Sequence, residues 1–145
     1  MPLSRRSRRL AVPALLAVTA LVLGGCTKGV SERCSGRMSE NTCSVAFDSS
    51  DGTWRTSLEG GELQTEVTIN GTFTIESGSG TLTFWGPEES MRYELSAEHP
   101  VEVVDLTMTM YRSEEGDRGD TSVTLETVAD PELEGFTGEY SFVTR

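Results

Sequence analysis

The stretch Ser57–Gly86, SLEGGELQTEVTINGTFTIESGSGTLTFWG, decides the fold. Short runs rich in Val, Thr, Ile and aromatic residues alternate apolar with polar. They are cut by Gly-Gly, Asn-Gly and Gly-Ser, which reads as antiparallel strands joined by tight turns. Successive strand residues point to opposite faces, so a turn of the wrong length would send every apolar residue to the wet side. A two-residue Gly60-Gly61 turn sets Leu58 opposite Leu63 and Trp54 opposite Val67. A three-residue loop Ile69-Asn70-Gly71, with Gly71 left-handed, sets Val67 opposite Phe73 and Thr65 opposite Ile75, whereas a two-residue Asn70-Gly71 turn would put Val67 against Thr74. A Gly78-Ser79 turn then pairs Phe73 with Phe84 and Ile75 with Leu82. A four-residue loop, Pro87 to Ser90, pairs Phe84 with Tyr93 and Leu82 with Leu95. The expected inner layer holds Trp54, Val67, Phe73, Phe84 and Tyr93 in one row and Thr56, Thr65, Ile75, Leu82 and Leu95 in the next. Thr68, Thr72, Thr74, Thr83, Glu66, Glu76 and Glu94 fall on the wet face.

The same texture extends both ways, with strands expected at 43–47, 53–59, 62–69, 72–77, 80–86, 91–97, 102–111, 121–129 and 136–143. A loop holding His99-Pro100 sets Tyr93 opposite Leu106 and Leu95 opposite Val104. Leu106, Met108 and Met110 point inward. Val123 and Leu125 meet Met110 and Met108 across an acidic loop, and Tyr140 and Phe142 return opposite Leu125 and Val123. The fold class is all-β: an antiparallel meander of eight to nine strands over 34–145, one domain without internal repeats. Its apolar face must be covered, by closure into a small barrel or, alternatively, by folding into a β-sandwich.

The N-terminus has a different character. Arg5, Arg6, Arg8 and Arg9 precede an uncharged, mostly apolar run from Leu10 to Leu23, and Gly24-Gly25 follow. This is the order of a cleaved signal helix, 14 residues being too short at about 1.5 Å each to span the bilayer. Leu23-Gly24-Gly25-Cys26 resembles the lipobox of bacterial lipoproteins, with Leu23 three residues before the cysteine. In that family the thiol receives a diacylglyceryl group and cleavage makes the cysteine the new N-terminus. The resemblance implies a signal peptide at 1–25, lipid attachment at Cys26, a short lipid-anchored tether at 26–33, and a place on the extracytoplasmic side of the cell membrane. An ordinary secretory signal with an unrelated cysteine is the alternative, and Arg8-Arg9 leaves twin-arginine export open beside the general route.

All 23 acidic residues but only eight of the 12 basic ones follow Cys26, so that part carries a formal charge of −15. Such a surface repels nucleic acid and anionic lipid, which leaves the lipid itself as the route to the membrane. Cys34 and Cys43 are an even pair in an exported chain and are expected to form a disulfide. A second resemblance rests on Gly52-Thr53-Trp54 at a strand start and on Arg145. It is similar to the Gly-x-Trp and late-Arg pattern of lipocalin-like (calycin) barrels, and it implies an Arg packed over the Trp at a closed end.

No catalytic residue, metal site or cofactor emerges. His99 is the single histidine, no HExxH, CxxC pair or phosphate loop is present, and the acidic residues fall on the wet face and in loops. Glu114-Glu115-Gly116-Asp117-Arg118-Gly119-Asp120 and DSSDG at 48–52 both miss the spacing of a calcium loop. Trp85 is the aromatic out of place, facing outward opposite Thr72 and Arg92. Trp85 and Arg92 are therefore either a cation–π pair or an interaction surface. Two function classes follow. One is a non-catalytic protein-interaction module meeting an envelope protein. The other is a barrel that holds a small apolar ligand, with Met91, Met108 and Met110 as adaptable lining.

Overall fold

The computed structural model describes residues 25–37, 39–61, 63–112 and 121–145. Residues 1–24, which hold nearly all of the expected signal peptide, and the acidic loop 113–120 lie outside the described residues. Among the described residues ten strands are formed: β1 (Thr27–Lys28), β2 (Ser31–Arg37), β3 (Glu40–Ser50), β4 (Thr53–Gly60), β5 (Glu66–Thr74), β6 (Ser77–Trp85), β7 (Ser90–Ser96), β8 (Val101–Thr109), β9 (Tyr111–Arg112) and β10 (Thr121–Thr144). Among the described residues no helix is long and apolar enough to cross a membrane.

All pairings are antiparallel, but the order is not that of a meander. The long strand β10 organises the molecule. Its first half lies between β4 and β6, with β7 beyond β6, and its second half lies between β3 and β5, with β2 beyond β3 and β8 beyond β5. Two sheets thus share one strand, which passes from one to the other through a register shift between Ala129 and Leu133 that contains the cis Asp130-Pro131 bond. Proline, having no N–H to give a ladder, fits such an interruption. The sheet does not close, and the arrangement fits the sandwich alternative.

Most of the predicted turns do not occur. Trp54 and Leu58 on β4 face Thr127 and Val123 on β10, not Val67 and Leu63. Leu63 lies outside the strands and is 90% exposed. The Ile69–Gly71 stretch is no hairpin tip, because β5 runs straight through it. Likewise β6 runs through Gly78 and Ser79. Tyr140 and Phe142 face Cys43 and Asn41 on β3, and not Leu125 and Val123, because β10 never turns back. The β6–β7 hairpin does form, two residues out of the expected register: Phe84 faces Met91 and Leu82 faces Tyr93. An even slip keeps every side chain on its face. Between β9 and β10 the expected register holds only at Tyr111 opposite Ser122; the expected Met108–Leu125 pair does not form, because Met108 faces Val67 on β5 and Leu125 faces Phe84 and Thr56.

Most of the anticipated apolar interior is present, but Thr65, expected inside, is exposed, and Thr83, expected on the wet face, is buried. Val67, Phe73, Leu82 and Phe84 are fully buried, with Trp54, Ile75 and Leu95 nearly so and Tyr93 packed at the margin. Phe73 and Phe84 meet edge-on at 6.1 Å, across the space between the two sheets and not along one of them. Phe136 sits in the middle, stacked on Phe47 at 4.6 Å and reaching Phe73 and Trp54 at 6.2 and 6.3 Å. Alternation fails where the backbone switches parity. In β8 two residues, Val104 and Asp105, oppose Asn70, with Asp105 at φ 47° and its N–H on Asn70 Oδ1 at 2.8 Å. Such a bulge turns Val104 outward to 72% exposure, while Val101, Val103, Met108 and Met110 stay inside. In β10 the inward set changes from odd to even numbers across Gly135, whose φ of 61° suits glycine.

This interior leaves little room for the apolar ligand of a barrel. Rings from both sheets fill it, and the recesses described below all open on the surface. Arg145 does not cap Trp54. It pairs by its backbone with Glu66 beyond the end of β10, whereas Trp54 faces Thr127 at the opposite end of the molecule.

Two buried polar groups give checkable consequences. Thr127 Oγ1 lies between Trp54 and Leu82 on the neighbouring strands without a hydrogen-bond partner. Thr127→Val removes that hydroxyl at nearly constant shape, and chemical denaturation should show a gain of about 1 kcal/mol. The Tyr140 phenol is pushed up to about 12, first by burial and then by the Glu32 carboxylate. Between pH 10 and about 12 the unfolded chain sheds a proton that the folded one keeps. Stability is therefore complete below pH 10 and falls through that window, and Tyr140→Phe should flatten the fall in urea midpoints measured at pH 9 to 12.

Candidate functional site

Trp85 ends β6 and Tyr111 opens β9, and both strands run along the same side of β10. Trp85 faces Thr124 there, and Tyr111 faces Ser122. Those two partners are two residues apart and share a face, the outer one, because Val123 and Leu125 beside them are in the core. An indole and a phenol far apart in sequence thus stand side by side, about 7 Å apart along the strand direction. They are 43% and 44% exposed.

Beneath the indole lies Glu126. It also points to the outer face but is only 7% exposed, and a buried carboxylate must have partners. It has one for each oxygen. Trp85 Nε1 donates to Oε1 at 3.2 Å, and Arg55 Nε, directly opposite on β4, donates to Oε2. The indole plane is therefore pinned by a hydrogen bond to a carboxylate that is itself held by a guanidinium. Arg55, Trp85, Tyr111, Thr124 and Glu126 line an open recess of about 310 Å3. On the other side of the ring pair a second recess, of about 270 Å3, is walled by the Gly86–Ser90 turn. That turn is braced by Gly86 N–H on the Glu89 carbonyl at 2.9 Å and by Thr109 N–H on Glu89 Oε1 at 3.2 Å.

Arg92 is elsewhere on this face. Ser90, not Arg92, sits opposite Trp85, because of the two-residue slip in the hairpin. Arg92 faces Thr83, approaches Glu94 at 3.6 Å and lines a separate recess of about 110 Å3 with Thr81 and Asp130. The expected Trp85–Arg92 surface is therefore replaced by Trp85 with Arg55, Glu126 and Tyr111. Alternation of Val123, Leu125 and Thr127 would have sent Thr124 and Glu126 outward from sequence alone. Their union with Trp85 needed the β6–β10 pairing, which no local turn signals.

The Cys34–Cys43 disulfide is present and joins directly opposed residues of β2 and β3. Around it an open recess of about 840 Å3 is lined by the disulfide with Glu32, Arg33, Ser35, Thr42, Ser44 and Glu139, without an aromatic residue. Cys26 is a free, exposed thiol. Among the described residues no group of three His, Cys, Asp or Glu is placed to hold a metal ion.

No family model matches the sequence, and no curated protein does so either. Some solved structures align with it at low identity. TmCBM61 in complex with beta-1,4-galactotriose aligns at TM-score 0.39 and 16% identity, over 79% of this chain and 87% of that one. The capsular polysaccharide assembling protein CapF from Staphylococcus aureus aligns at 0.34 and 13%, over 77% of this chain and 28% of CapF. A CBM4 structure aligns at 0.33 and 9%, over 81% and 79%. No residue is carried across from any of them.

Proposed function

We propose that the protein is an envelope lipoprotein, held by lipid on Cys26, whose domain is a non-catalytic binding module that takes a saccharide ring on the Trp85–Tyr111 face. The observation that carries the reading is the half-exposed indole pinned by Glu126. A pyranose has an apolar face of C–H groups and a rim of hydroxyls. It needs a flat apolar plate with planar charged groups at its edge, and the plate should not have to be ordered at the moment of binding. Trp85 and Tyr111 supply the plate. The Arg55 donors and the remaining lone pairs of Glu126 lie beside it for paired hydroxyls. The recess holds about 310 Å3, the scale of a small-molecule site. A protein partner would need about 800 Å2 with an apolar centre, and the residues around the rings are mostly Ser, Thr, Arg and Glu, with Gly86 and Pro87 the exceptions. The lipobox order and the exposed Cys26 support the anchoring half.

The test is native electrophoresis through gels containing a panel of soluble neutral and acidic polysaccharides. Retardation by at least one polymer, lost in Trp85→Ala, supports the reading. No retardation by any, together with an envelope protein crosslinked through position 85, would make this face a protein interface instead.

A further inference from the structure

The segment expected as a tether is not free. Thr27 and Lys28 pair with Ser50 and Ser49 as β1. Thr27 Oγ1 meets Ser50 Oγ at 2.9 Å, the Cys26 N–H donates to Asp51 Oδ1 at 2.6 Å, and Asp51 N–H donates to the Cys26 carbonyl at 3.3 Å. The backbone of Cys26 is thus fixed to the Asp51-Gly52 turn, with no slack between the attachment point and the fold.

That turn belongs to one end of the sandwich. Gly52 accepts from Ala129 N–H and Ser50 faces Leu133, which brings in Asp130–Glu132. Glu76 N–H bonds Glu134, and Ser79 faces Ser96, which bridges His99. Asp51, Glu76, Glu98, Asp130 and Glu132 are exposed there. The aromatic pair lies toward the other end. Trp85 is level with Ser57 and Tyr111 with Glu59, since each pair shares a partner on β10. At about 3.3 Å per residue those levels are roughly 16 and 23 Å beyond Gly52.

We infer that the anchored protein stands end-on, its acidic Asp51–Asp130 rim toward the bilayer and its Trp85–Tyr111 site outermost, so that its ligand arrives from the side away from the membrane. This rests on the lipid attachment proposed above. The physical cause is the docked Cys26, which removes the tether that would let the body swing and holds the rim at the attachment point toward the bilayer despite its carboxylates. The ligand class that follows is a polymer of the medium, of the surrounding wall or of an opposing surface, and not a lipid of the same leaflet.

The experiment uses full-length protein expressed in bacteria and recovered in its native membranes, as two variants, Ala97→Cys at the exposed rim and Glu88→Cys at the far turn. Each is labelled with a thiol-reactive fluorophore, and a nitroxide headgroup lipid is then added as quencher. Intact mass comes first. An unmodified Cys26 overturns the anchoring reading and this inference with it. On protein shown to be lipidated, the Ala97→Cys label should lose at least half its emission and the Glu88→Cys label less than a tenth. Equal quenching, or the reverse order, overturns the orientation and leaves the anchor standing.

Discussion

Replacing Trp85 with alanine should weaken saccharide binding by one to two orders of magnitude while leaving the fold intact. Roughly 100 Å2 of indole stands open, and covering it at about 25 cal/mol per Å2 contributes about 2.5 kcal/mol. The ring lies outside the core, so its loss opens no interior cavity. The effect on affinity should be read by calorimetry with whichever polysaccharide retards the protein, beside a thermal melt that stays near wild type. Trp85→Phe separates two contributions. It keeps a plate but drops the Nε1–H that fixes the plane against Glu126. An intermediate loss in Trp85→Phe would assign part of the affinity to pre-ordering of the ring; full wild-type affinity would remove Glu126 from that role.

Phe136→Ala should cost about 3–5 kcal/mol of stability, the range for deleting a fully buried ring. Phe136 is the ring on which Phe47, Phe73 and Trp54 converge, and it comes from the half of β10 that has crossed to the second sheet. A domain of this size has only about 5–15 kcal/mol in total. Urea denaturation should therefore shift far to lower midpoint, or the variant should fail to accumulate. A loss below about 1 kcal/mol would mean that the two sheets do not close on this ring.

The inward face of most large apolar residues was legible in the sequence, and their neighbours were not. Alternation within a strand is a local property, so Val67, Phe73, Leu82, Phe84 and Leu95 were placed inside whatever they paired with. Pairing is decided by the whole chain. Gly60-Gly61, Asn70-Gly71 and Gly78-Ser79 all have hairpin chemistry, yet β4, β5 and β6 each turn to β10 instead, because a strand of 24 residues can serve two sheets at once. Nothing in SVTLETVADPELEGFTGEYSF announces that continuity, and Asp130-Pro131 argues locally against it. Val104 and Leu63 were misplaced for the complementary reason: a bulge and a strand-free stretch reset the alternation that was used to count. The site was half visible. Trp85 stood out as an exposed indole, whereas Arg55, Glu126 and Tyr111 join it only through pairings to β10.

The central claim is that the outer face at Trp85, and not the interior, receives the ligand. The chain holds two tryptophans, Trp54 within the core and Trp85 on that face, so proton–nitrogen correlation spectra carry two indole signals that report on the two places. On titration with a retarding polysaccharide, the Trp85 Nε1–H signal should move and saturate with the binding curve while the Trp54 signal stays in place. Movement of Trp54 alone, with Trp85 unchanged, would contradict the account.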